Sequence, residues 1–133
     1  MNILLDTHVW IWSQEAPENI GPRAHTLLGA VENVRWICPV STLEVARLIA
    51  AGRLRFERRP EAWIEDALRF LKASTIPLSH ETALEAYRMT DFPVRDPIDR
   101  VLVAAARTHG CHLMSADQKI LAYNGVSTLD ARK

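Results

Sequence analysis

The chain has 133 residues, 48% of them hydrophobic, and 16 Lys and Arg balance 16 Asp and Glu for a formal net charge of zero. This length and apolar fraction suit one folded domain with a real core, spanning 1–133, and exclude a disordered tail. The balanced charge excludes a uniformly basic binder of duplex nucleic acid; a polyanion has to meet a local patch or be held through metal ions.

The start, MNILLDTHVWIW, carries no basic segment ahead of its apolar residues, and no apolar run approaches the roughly 18–20 residues of a membrane span. Cys38 and Cys111 lie far apart. The expectation is a cytoplasmic protein with reduced thiols.

In chain order, residues 2–5 (NILL) read as a short buried strand ending at Asp6, and the residues after it as a short helix that buries Trp10 and Trp12. Residues 22–33 have helical apolar spacing, with Pro22 early and Ala24, Leu27, Leu28 and Val31 on one side. Residues 36–38 read as a strand stopped by Pro39, and residues 42–51 as a helix ended by Gly52. Residues 52–60 are the most loop-like stretch. Residues 61–73 are helical, and residues 75–78 form a strand that Pro77 restricts to an edge or a strand end. Residues 80–87 are helical, and residues 98–108 form the clearest helix, closed by Gly110. Residues 111–114, 118–123 and 126–129 complete the chain as strand, short helix and strand. Such alternation predicts an α/β fold, a three-layer α/β/α sandwich around a parallel sheet of four to five short strands.

Ligands of open parallel sheets bind outside the carboxyl ends of the strands. Asp6 follows the first strand there; Ser41, Thr42 and Glu44 follow the second; Ser115 and Asp117 follow the strand at 111–114. Asp96 and Asp99 open the long helix. Each has a structural reading as well. Ser41 and Glu44 have the spacing of a capping box. Asp96, Pro97 and Asp99 suit an N-cap, a first helical position and a first turn, and Asp117 suits a cap of its own helix. As a set, converging carboxylates repel one another unless a cation sits among them, and all-oxygen donors favour Mg²⁺ or Mn²⁺. Arg100 beside Asp99 is read either as orienting that carboxylate or clamping a phosphate, or as a surface ion pair. Arg53, Arg55, Arg58 and Arg59 form either a solvated loop or a patch for RNA phosphates or a partner peptide. His8 is placed near the pocket mouth in a packing or hydrogen-bonding role.

Other chemistries lack their residues. Neither the dinucleotide-binding nor the phosphate-loop glycine pattern is present, no zinc-ligand spacing occurs, and Ser41 and Ser115 lack the nucleophile-elbow pattern. A phosphoacceptor domain wants adjacent acids after the first strand, and only Asp6 stands there.

Four segments together, LLDTHVWIW at the start, STLEVARL at 41–48, RDPIDRVLVAAA at 95–106 and LMSADQKIL at 113–121, resemble in order a PIN domain of the VapC toxin type. The resemblance implies an endoribonuclease dependent on Mg²⁺, with Mn²⁺ as substitute, that cuts single-stranded or loop RNA to a 5′-phosphate and a 3′-hydroxyl. It implies that Asp6, Glu44, Asp99 and Asp117 are the catalytic, metal-holding acids. Thr7, Ser41, Asp96, Arg100 and Ser115 are expected to support or orient them, with Asp96 left open between support and cap. It also implies a VapB-like antitoxin partner and a homodimer or toxin–antitoxin hetero-oligomer. Ala105, Ile98 and Val94 depart from the residues many relatives carry, and none of the three is an acid of the site.

Overall fold

Residues 1–133 are all described by the computed structural model, and its sheet is built around the first strand. Asn2–Leu5 (β1) lies between Val34–Ile37 (β2) and His112–Ser115 (β4), parallel to both. Ser74–Thr75 (β3) pairs beyond β2, and Thr128–Asp130 (β5) beyond β4, so the order is β3-β2-β1-β4-β5. Ile3, Leu4 and Leu5 are completely buried. A strand's period of two sends them to opposite faces: Leu4 joins one apolar cluster, and Ile3 and Leu5 join the other. A strand covered on both faces needs no polar alternation, which is why NILL is a continuous apolar run.

The helices that cover those faces are Thr7–Glu15 (α1), Pro22–Gly29 (α2), Pro39–Ala50 (α3), Pro60–Leu71 (α4), His80–Glu85 (α5), Pro97–Thr108 (α6) and Gln118–Leu121 (α7). On one face α6 contributes Leu102, Val103, Ala104, Ala105 and Ala106 to a cluster with Met89, Phe92, Ile120 and Tyr123. On the other, Val9 and Trp10 of α1 pack with Ala24 and Leu28 of α2 and with Trp63 and Ala67 of α4. This is the three-layer parallel architecture expected from the alternation. Cys38 and Cys111 are both buried free thiols. No helix is long and apolar enough to cross a membrane.

Several boundaries differ from the sequence expectation, each for a local reason. The helix expected at 42–51 begins at Pro39, because a proline favours the first helical position as well as it ends a strand. The helix expected over 22–33 stops at Gly29; Asn33 then donates its side-chain amide to the Leu27 carbonyl at 2.9 Å and turns the chain into β2. The strand expected at 75–78 lies instead at Ser74–Thr75, a two-residue edge strand that ends ahead of Pro77. The last strand begins two residues and ends one residue later than expected, and brings Asp130 beside Ser115.

Candidate active site

The chain builds β2 and β3 on one side of β1, then crosses to build β4 and β5 on the other. The direction therefore reverses between β1 and β4, and a crevice opens there at the carboxyl ends of the strands. Asp6 leaves β1 at that point and is 3% exposed. One carboxylate oxygen, Oδ1, accepts from the Thr7 amide at 2.8 Å. The other, Oδ2, accepts from the Ser115 hydroxyl at 2.6 Å, and Nδ1 of His8 stands 3.6 Å from it.

Two buried hydroxyls brace this acid to its neighbours. Ser115, at the end of β4, also accepts from the Asp117 amide at 3.0 Å, so Asp6 and the start of α7 share one anchor. Thr7 donates its hydroxyl to that of Ser41 at 2.9 Å, which ties α1 to α3, the helix that carries Glu44. Ser41 is thus not a helix cap: it sits inside α3, fully buried, and Cys38 occupies the cap position. The capping box expected from Ser41 and Glu44 is corrected, because the helix starts two residues before that motif.

Asp96 and Asp117 do cap helices. Asp96 accepts from the Ile98 and Asp99 amides, and Asp117 from the Lys119 and Ile120 amides. Asp99, in the first turn of α6, is half-buried, and its carboxyl is pushed up to about 7. Burial is the first cause; repulsion from Asp6, Asp96, Asp117 and Glu44 follows in that order. The acids singled out in the sequence therefore share one electrostatic field. As oriented, no three of them stand close enough to enclose an ion. Glu44 faces Arg47, which donates to it from Nε at 3.1 Å and from a terminal nitrogen at 2.8 Å, and the two caps each engage one carboxylate oxygen. The donor chemistry, carboxylate oxygen throughout, fits a hard divalent cation. Such a cation would offset the repulsion that adds to burial in raising Asp99.

His8 was expected to hydrogen-bond near the mouth, and it does so in one tautomer. Its Nε2 accepts from the Ala116 amide at 3.0 Å, so in the neutral ring the proton is on Nδ1, facing Asp6. Arg100 requires a correction. Its guanidinium is buried away from the acids and donates to the carbonyls of Ala86, Met89, Phe92 and Val94 at 2.7–3.1 Å, under the rings of Tyr87 and Phe92. Neighbours on a helix point about 100° apart, so adjacency to Asp99 does not bring Arg100 to it. It pins the loop of residues 86–96 instead. The basic stretch divides: Arg58 is engaged by Asp66 and by the Ala62 carbonyl, and Arg59 lies 3.9 Å from Glu61. Arg53 and Arg55 are exposed and make no ion pair.

Two side chains not singled out as site residues face the crevice. Arg95 and Lys119 line a cavity of about 650 Å³ together with Asp96, Asp99 and Asp117. The available signal was positional: each sits within two residues of a helix-capping acid, and Lys119 has no acid at helical spacing to pair with.

A family profile described as PIN domain matches residues 3–126. Ribonuclease VapC22 of Mycobacterium tuberculosis is 22% identical over 121 residues, 91% of each chain. Among solved structures, a VapBC2 complex from Rickettsia felis bound to a DNA fragment from its promoter aligns with a TM-score of 0.73 at 12% identity, covering 97% of this chain and 98% of that one. A DNA-bound VapBC from Salmonella typhimurium aligns with a TM-score of 0.67 at 15% identity, covering 98% of each. The fold is the same in each case.

Proposed function

The chain belongs to the PIN-domain family, and on that premise we propose that it is a divalent-metal-dependent endoribonuclease, the toxin of a VapBC-type toxin–antitoxin pair. The observation that carries this reading is the shared carboxylate field at the β1–β4 switch point, visible in the raised Asp99. Likeness to Ribonuclease VapC22 along nearly the whole chain supports the substrate class.

In this reading Asp6, Glu44 and Asp99 would hold Mg²⁺, or Mn²⁺ in its place, with help from Asp117. When bound, the ion supplies positive charge against a phosphate oxygen and acidifies a water molecule. The chain's own residues prepare that site. The Thr7 amide and the Ser115 hydroxyl fix both Asp6 oxygens as acceptors. The Thr7–Ser41 bond holds α3 so that Glu44 reaches the crevice once it turns from Arg47. Asp99 would release its proton to solvent water and serve as a carboxylate. Water attacks phosphorus in line and the 3′ oxygen departs, leaving a 5′-phosphate and a 3′-hydroxyl. No protein nucleophile takes part.

The partner in this reading is a VapB-like antitoxin in the cytoplasm, with the 1–133 domain acting as a homodimer or within a toxin–antitoxin hetero-oligomer. Arg53 and Arg55, with Arg58 and Arg59 partly engaged, are available to RNA or to that antitoxin.

The test is cleavage of total cellular RNA by purified, partner-free protein in Mg²⁺, Mn²⁺ or EDTA, beside folded Asp6→Asn. Metal-dependent cuts at discrete positions that vanish in the variant are expected, and their ends identify the RNA. A folded protein that neither cleaves nor binds Mn²⁺ overturns the proposal in favour of a non-catalytic PIN fold.

A further inference from the structure

The cavity beside Asp99 and Asp117 holds two cations that none of its carboxylates neutralises. Arg95 and Lys119 are exposed, line that cavity, and make no ion pair or side-chain hydrogen bond. The acids nearest them in sequence are directed elsewhere: Asp96 caps α6 and Asp117 caps α7.

Both cations rise from fixed backbone. The loop that carries Arg95 is held by Arg100 at the Phe92 and Val94 carbonyls, and again at Asp91, which accepts from the Tyr123 hydroxyl at 2.9 Å. Lys119 donates its own amide to Asp117 at 2.8 Å. Among the charged residues lining this cavity, three are acids and these two side chains are the cations, so a phosphodiester is attracted there only by them.

We propose that Arg95 and Lys119 bind the RNA phosphate next to the scissile one and so set which bond of the strand faces Asp99. This rests on the nuclease reading above. The pair suits a phosphate chemically: Arg95 offers a planar fork and Lys119 a compact charge, and both line one cavity. Their role is to position substrate rather than to hold metal, so Mn²⁺ binding depends on the carboxylates and not on them.

The experiment uses Asp6→Asn as a non-cleaving background and measures its affinity for a short mixed-sequence single-stranded RNA across a salt series. Adding Arg95→Gln and Lys119→Gln should weaken binding about tenfold at low salt. It should also make the slope of log affinity against log salt shallower by ~0.7 for the lost phosphate contact. Lys119→Arg should restore most of the affinity. In otherwise wild-type protein the same changes should fall mainly on KM, and the cut position should spread to neighbouring bonds. Unchanged affinity, slope and cut position in a protein whose wild type cleaves RNA overturns the assignment and leaves the nuclease reading standing. A folded wild type that neither cleaves RNA nor binds Mn²⁺ overturns both.

Discussion

Asp99 is raised because burial and four neighbouring acids all favour its neutral form. The folded protein therefore binds this proton more tightly than the unfolded chain, whose carboxylate titrates near 3.8. The resulting stabilisation is complete below pH 4 and is lost as pH rises through about 7. In EDTA the urea midpoint of the wild type should fall across that window, whereas Asp99→Asn should flatten the decline. Above pH 7 the variant should be the more stable by about 1–2 kcal/mol, since water screens part of the repulsion in a half-buried cleft, and it should not cleave RNA. Arg100 makes an opposite case: it is a cation that works only through the backbone. Replacing it with Met leaves four carbonyls without their donor and should cost about 3 kcal/mol in a denaturation series, with Arg100→Lys in between. Had Arg100 served the acids, Lys would spare stability and reduce cleavage. Asp6 was legible from sequence because a carboxylate directly after a fully apolar strand has few structural reasons to be there. Arg100 was not legible, because its partners are carbonyls of a loop whose path no local pattern encodes.

At the scale of elements, Asp96 is a helix cap, and substitution separates that role from any effect of its charge on the site. Asp96→Asn retains the oxygen that accepts from the Ile98 and Asp99 amides, so α6 should keep its stability; Asp96→Ala should lose about 1 kcal/mol. A drop in cleavage with Asn alone would show that the charge of Asp96 acts on the site. The strand–helix order was legible because parallel strands buried on both faces are short apolar runs, and the helices between them keep their period. Starts and stops were less so. Pro39 has two local meanings, strand stop and first helical residue, and only pairing of β2 with β1 chooses between them. The bond from the Ala116 amide to His8 joins segments 108 residues apart, beyond any sequence window. The C-terminal segment is clasped in a similar way. The Gly21 amide donates to the Ala131 carbonyl at 2.8 Å, and a side chain at Gly21 would overlap the Arg132 carbonyl. Gly21→Ala should detach residues 131–133, cost about 2 kcal/mol, and release the Arg132 guanidinium from the Ala116 carbonyl. Faster amide exchange in that segment would report it.

At the scale of the molecule, the central strand is the first to be made and its β4 neighbour is nearly the last. Asp6 and Ser115, 109 residues apart, meet only when β4 docks against β1. Contacts of such separation form late, because the loop they close must be ordered before they repay it. A chain truncated after residue 111 lacks β4, α7 and β5, hence Ser115 and Asp117, and should bind no Mn²⁺ and leave RNA intact. The same order holds during synthesis. While the final residues are still inside the ribosome, β1 has no partner on one side and the crevice has only one wall. On the nuclease reading, a nascent chain whose β4 has not yet docked against β1 should spare the messenger and ribosome that are producing it.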